Sequence, residues 1–168
     1  SMGLPHETGV TPANQYFAAQ PDAASQPRTV RLELAARTLR LRTDSGVFSA
    51  ERVDPGTRVL LGEDLSPPAT GTVVDLGCGY GPITVALALR APGARVVGVD
   101  VNERARALCR ENAAEAGLAN VEVLAPGEVA ADLVVDELWS NPPIRIGKAA
   151  LHALLTEWLA RLSPTGRA

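Results

Sequence analysis

The sequence predicts an α/β fold with a parallel sheet covered on both faces, and three observations carry that expectation. Short apolar runs at 73–76, 95–100, 121–124 and within 133–140 alternate with helix-length segments. The first run opens into a glycine-rich turn, Gly77-Cys78-Gly79-Tyr80-Gly81. The last segment, 147–162, sets Leu151, Leu154, Leu155, Trp158, Leu159 and Leu162 at the spacing of an amphipathic helix. Strands in such a sheet read as continuous apolar runs because helices shield both of their faces.

Each element has its local reason. Residues 1–27 are rich in Pro, Ala and Gln without a period, which predicts an irregular arm pinned by Tyr16 and Phe17. Residues 30–34 and 38–42 alternate with period two across a short link, the pattern of a half-buried hairpin. Val30, Leu32, Leu34, Leu39 and Leu41 then face inward, with Arg31, Arg40 and Arg42 together on the other side. Gly46 to Ser49 follows, Asp54-Pro55-Gly56 marks a turn, 59–61 opens a short helix or strand, and 65–68 reads as a linker. Strand 73–76 leads through the glycine turn to a helix at 83–91, with Pro82 in its first turn, where a missing N–H is tolerated. Strand 95–100 precedes a helix at 102–116 that Gly117 stops. The strands at 121–124 and within 133–140 complete the series, the last running into Asn141-Pro142-Pro143. The chain thus divides into an arm (1–27), a β-rich extension with linker (28–68) and a core (69–168).

Composition bounds the function. At 168 residues the chain has one domain's length, and 46% hydrophobic with 21% charged residues is ordinary for a globular fold. No run of eighteen apolar residues argues for a membrane span, and no basic start followed by an apolar stretch argues for secretion, so a cytoplasmic protein is expected. Cys78 and Cys109 make no disulfide framework, and with His6 and His152 they offer no metal-ligand spacing, so no metal is expected. The net charge of −3 hides an asymmetry: residues 28–58 hold seven Arg against Glu33, Asp44, Glu51 and Asp54. That basic segment reads either as a polyanion contact or as a solvated hairpin face.

The glycine turn stands at the carboxyl end of a parallel strand, where ligands collect. Gly77 and Gly79 allow positive φ and close approach of the backbone to a ligand. Asp100 ends the next strand, where a carboxylate suits the two hydroxyls of a ribose. Asn102 can cap the following helix by itself, which frees Asp100 from that task. The spacing G-x-G-x-G lacks the third glycine of the dinucleotide fingerprint, and no phosphate loop with its lysine is present. After the fourth strand, Asn141 offers a side-chain carbonyl, and Pro142 and Pro143 fix φ and leave their carbonyl oxygens unpaired with any N–H of their own. Two such acceptors can hold both hydrogens of a planar amine and stabilise the positive charge that grows as its nitrogen attacks a methyl group.

At this point the sequence resembles the class I methyltransferases that use S-adenosylmethionine, whose first motif has the form of Val74 to Gly81. The resemblance implies a Rossmann-like sheet in which Asp75, Gly77, Cys78 and Gly79 line the cofactor, Cys78 as a small buried side chain. It implies that Asp100 holds the ribose, that Val101 lies against the adenine and that Ala125 or its neighbours edge the base. The Asn-Pro-Pro segment resembles that of amino-group methyltransferases acting on adenine N6, on guanine exocyclic amines and on glutamine amides. Asn141, Pro142, Pro143 and Ile144 are then the catalytic segment, with Asn141 also beside the cofactor. Ile144 stands where many of these enzymes carry a base-stacking aromatic, a contact worth about 1–3 kcal/mol, which argues against adenine N6.

The string Trp139 to Lys148, with 46–49 and 54–58, is similar to the small-domain methyltransferases grouped with the ribosomal small-subunit RNA guanine-N2 enzymes. That likeness implies an RNA substrate, with Phe48 bordering the cofactor or target base and Arg145 and Lys148 meeting phosphate. Arg31, Arg40 and Arg42 are further candidates for such contact. The alternatives are a non-catalytic RNA-binding or assembly module and a glutamine-amide or adenine-N6 enzyme, and oligomeric state stays open. A class I sheet has seven strands; residues 162–168 stand at the entry to the fifth. The remaining strands are then missing from this chain, and the fourth is expected to present an unpaired edge.

Overall fold

The computed structural model describes residues 23–34, 37–47, 67–141 and 147–168. Tyr16, Phe17, the turn at 54–56, the segment 59–61 and much of the linker lie outside them. Two strands, β1 (Arg28–Leu34) and β2 (Arg37–Thr43), form an antiparallel hairpin in which Val30 pairs with Leu41 and Leu32 with Leu39. Val30, Leu32 and Leu41 are buried and Arg31, Arg40 and Arg42 are exposed, as the alternation demands.

The core follows as β3 (Thr72–Leu76), α1 (Pro82–Arg90), β4 (Arg95–Val99), α2 (Glu103–Glu115), β5 (Val121–Leu124), β6 (Val135–Ser140), α3 (Lys148–Leu159) and β7 (Leu162–Arg167). Among the described residues the sheet has five strands in the order β5-β4-β3-β6-β7, with every pair parallel. Chain order runs outward from β3 through β4 to β5, then returns to the other side of β3 with β6. The crevice beyond the carboxyl ends of β3 and β6 is therefore the switch point where a doubly wound sheet binds ligands.

Residues alternate between two apolar layers. Val73 and Val96 join Ile83, Ala86 and Leu87 of α1 and the hairpin's Val30, Leu32 and Leu41 on one face. Val74, Val97, Val99, Val135 and Leu138 pack with Trp158 of α3 on the other. The hairpin's inner face enters the same cluster as α1, and every residue of that helix from Pro82 to Ala88 is buried.

Two expectations are corrected at the carboxyl end. The edge of the fourth core strand, β6, is covered over its first half, because β7 pairs with it from Val135 opposite Leu162 to Glu137 opposite Arg167, with a register shift between. The buried Glu137 carboxylate accepts from Arg167 Nε at 2.9 Å and from Trp139 Nε1 at 2.6 Å, which fixes that edge. The amphipathic helix is also shorter than its pattern: Leu162 belongs to β7, Leu159 is 45% exposed, and Trp158 alone of the stripe is fully buried. The Arg161 guanidinium lies over the Trp158 ring, 5.0 Å from its centroid.

Candidate functional site

The turn after β3 is built by backbone. The N–H groups of Gly77 and Cys78 both donate to the Val99 carbonyl, at 2.7 and 3.0 Å, which folds the chain toward the end of β4. Gly77, Gly79 and Gly81 have φ of 76°, 57° and 100°, but for two different reasons. A Cβ on Gly77 or Gly79 would meet nothing within 4 Å, so these two face open space. A Cβ on Gly81 would stand 2.7 Å from Cys109 Sγ, so that glycine lets α2 pack against the start of α1. Pro82 occupies the first turn of α1, where its missing N–H costs no helical bond, and no side-chain cap precedes it.

Two acids flank this arc. Asp100, half-buried beyond β4, accepts from the Gly79 N–H through Oδ2 and from the Asn102 N–H through Oδ1, each at 2.9 Å. Those bonds take one lone pair of each oxygen and fix the plane of the carboxylate, leaving acceptor capacity for a ligand. Burial pushes its pKa up, against the two amide donors and the nearby Arg106, which pull it down. Arg106 Nη1 holds the carbonyls of Asp100 and Val101, each at 2.9 Å. Asn102 caps α2 by accepting from the Ala105 N–H at 3.1 Å, as expected.

Asp75, at the end of β3, is 1% exposed. Its Oδ2 accepts from the Thr84 hydroxyl at 2.7 Å, while Oδ1 is buried with no hydrogen-bond partner. Burial pushes its pKa up to about 7, opposed by the Thr84 hydroxyl and reinforced by Asp100. The glycine arc beside it leaves open space where the Cβ atoms of Gly77 and Gly79 would stand, which fits close approach of a ligand to the backbone there.

On the other side of β3, Leu76 is registered opposite Ser140, whose hydroxyl donates to the Leu76 carbonyl at 3.2 Å. Asn141 therefore leaves β6 beside Gly77, while Val99 and then Asp100 leave β4 on its far side. Of the residues singled out from the sequence, Asp75, Gly77, Cys78, Gly79, Asp100, Val101 and Asn141 gather at these three strand ends. Lys148 is exposed at the first position of α3, beyond Gly147. Phe48, Pro142, Pro143, Ile144 and Arg145 lie outside the described residues. Cys78 is buried, and the hydrogen-bonded Cys109 thiol together with burial pushes its thiol well up, so it is no thiolate nucleophile. Among the described residues no group of three or more His, Cys, Asp or Glu could hold a metal ion, and no helix is long and apolar enough to cross a membrane.

Sequence reasoning missed two residues. Thr84 carries the hydroxyl that holds Asp75, and Asn112 of α2, 1% exposed, bonds both the hairpin and the glycine turn. A polar residue inside an apolar helix pattern was the available signal for Thr84, whereas α2 is largely polar around Asn112 and offers none.

A doubly wound sheet with this turn and acid at its switch point defines a class I methyltransferase fold, whose members depend on S-adenosylmethionine. Within that class the chain belongs to the methyltransferase small domain family, which matches residues 38–168. It is 34% identical over 157 residues to the uncharacterized protein YbxB of Bacillus subtilis (strain 168), across 92% of this chain and 78% of that one. It is 31% identical over 143 residues to ribosomal RNA small subunit methyltransferase C of Shewanella amazonensis, across 85% of this chain and 41% of the relative. Among solved structures it is similar to the T. thermophilus 16S rRNA N2 guanine methyltransferase, RsmC, in complex with AdoMet and guanosine. That likeness has a TM-score of 0.70 and 29% identity, over 87% of this chain and 42% of the other. A methyltransferase from Thiobacillus denitrificans in complex with S-adenosyl-L-homocysteine aligns with a TM-score of 0.51 and 27% identity, over 67% of this chain and 46% of that one. The chain spans less than half the length of the methyltransferase C protein it matches in Shewanella amazonensis.

Proposed function

We propose that this chain methylates the exocyclic amine of guanine in RNA, with small-subunit ribosomal RNA as the substrate class and S-adenosylmethionine as the donor. The observation that carries the reading is the register of three neighbouring strands, which sets Asp100, Gly77 to Gly79 and Asn141 side by side at one crevice. The ribosomal RNA methyltransferases it resembles support the choice of acceptor. In this reading residues 69–168 are the methyltransferase core, with 28–68 an extension and 1–27 an arm, working in the cytoplasm.

Asp100 would hold the ribose hydroxyls in the orientation its two backbone donors fix. Gly77 and Gly79 would admit the methionine part, with Cys78 between them and the Asp75 carboxylate beneath, and Val101 would lie against the adenine. When bound, S-adenosylmethionine supplies a methyl group made electrophilic by its sulfonium. The Asn141 side-chain carbonyl and the Pro142 carbonyl would accept both N–H groups of the guanine amine, align its lone pair and stabilise the charge developing on nitrogen. No general base is needed before attack, because the methylated amine is acidic enough to release its extra proton to water afterwards. Pro143 and Ile144 would shape the base pocket with Phe48, and Arg145 and Lys148 would meet phosphate.

Incubating the chain with labelled cofactor and small-subunit ribosomal RNA, then digesting to nucleosides, tests this. Label on N2-methylguanosine is expected. Label on adenosine or on protein overturns the acceptor, and cofactor binding without transfer to any RNA favours a non-catalytic module.

A further inference from the structure

Asn112 sits on α2, in a part of the molecule to which the proposed chemistry gives no task. Its side chain is filled: Nδ2 donates to the Tyr80 carbonyl at 2.7 Å and to the Arg42 carbonyl at 2.9 Å, and Oδ1 accepts from the Arg42 N–H at 2.7 Å. Toward β2 the amide thus behaves as another strand would, exchanging both backbone bonds with one residue. Toward the core it holds the middle of the glycine arc.

Followed outward, these bonds close a ring. Next to Tyr80, the Gly79 N–H donates to Asp100, and Asp100 in turn receives the Asn102 N–H. The Asn102 side chain reaches back to the Gly46 carbonyl through Nδ2 at 2.8 Å, and Gly46 lies in the turn three residues beyond the end of β2, the strand that contains Arg42. Arg104 Nη1 reinforces the same segment through the Ser45 carbonyl at 2.8 Å. Arg42 also pairs with Glu115 of α2 at 2.7 Å. The hairpin exit, the glycine arc and the acid after β4 are therefore successive links of one hydrogen-bonded loop, and displacing the hairpin strands buried polar groups at the arc.

We propose that the N-terminal hairpin is a working part of the cofactor site, and that Asn112 is the positioning residue that transmits the seating of β2 to Gly79 and Asp100. The inference rests on the crevice being the S-adenosylmethionine site. It makes cofactor affinity depend on contacts at the inner face of the hairpin, which touch no part of the crevice, and makes bound cofactor tighten the hairpin in return.

Three variants of the full chain, titrated with S-adenosylmethionine by calorimetry, test it. Asn112→Leu keeps the volume and removes the bonds. Leu41→Ala loosens the hairpin from its inner face. Asn102→Ser keeps the helix cap and loses the reach to Gly46. Each is expected to weaken Kd by about 10-fold, and Leu41→Ala is expected to add less than about 2-fold in the Asn112→Leu background. Hydrogen exchange on the unaltered chain supplies a readout that needs no variant: cofactor should slow exchange at the Arg42 amide. Leu41→Ala and Asn102→Ser binding within about 2-fold of the unaltered chain, or unchanged Arg42 exchange on saturation, overturns the coupling alone. Failure of the unaltered chain to bind S-adenosylmethionine overturns the site itself and the coupling with it.

Discussion

Replacing Asp75 by Asn removes a titratable group from beside the glycine arc while keeping an acceptor for the Thr84 hydroxyl. The carboxyl is 1% exposed, and burial holds its pKa at about 7 against an ordinary value of 3.8. An acid whose folded pKa lies above its unfolded one keeps a proton that the unfolded chain gives up. Wild-type stability is then greatest below the unfolded pKa and falls as pH rises toward about 7, above which the loss is complete. At about 1.4 kcal/mol per pH unit, the interval amounts to about 4 kcal/mol.

An amide does not titrate, so the variant lacks this slope. Its NH2 inherits the unpartnered position of Oδ1 at a cost of about 1–3 kcal/mol, but that cost is the same at every pH. The informative quantity is therefore the change in the stability difference between the two proteins. Urea unfolding of both, from about pH 4 to about pH 8.5, should show that difference moving in favour of Asn by about 4 kcal/mol. A difference that stays flat within about 1 kcal/mol across the window refutes the assignment of a buried, proton-retaining Asp75.

Other perturbations separate packing from binding. Gly79→Ala adds a methyl to open space, so it should cost only about 1–2 kcal/mol for its φ of 57° while weakening cofactor binding in calorimetry. Gly81→Ala drives a Cβ to 2.7 Å from Cys109 Sγ at φ 100°, and should lower the melting temperature more, with partial recovery on adding Cys109→Ala. Asp100→Asn removes the charge behind the ribose contact, and cofactor affinity should fall about 10- to 100-fold in the same titration. Asn141→Ala should lower single-turnover methyl transfer by about 100-fold or more while cofactor affinity changes far less.

Much of this architecture was legible because it is written in local pattern. The period-two alternation around Leu32 and Leu41 sets the hairpin register, Asn102 marks the start of α2, and the turn glycines announce the switch point. Long-range polar pairing is not local: Arg42 and Asn112 meet across the fold, and nothing near either residue names its partner. The same holds for Thr84 and Asp75. The edge strand β7 was hidden by Pro164 and Gly166, residues that suit an edge but break the strand pattern. The stripe on α3 was visible, yet its depth was not, since periodicity says which side faces the sheet and not how much of the sheet it covers.

The central claim is most directly tested by a crystal structure of the chain with S-adenosyl-L-homocysteine and guanosine. Both ribose hydroxyls of the cofactor should lie within about 3.2 Å of the Asp100 carboxylate, with the guanosine amine donating to the Asn141 side-chain carbonyl. Cofactor bound away from Asp100, or Asn141 turned from the amine, would contradict it.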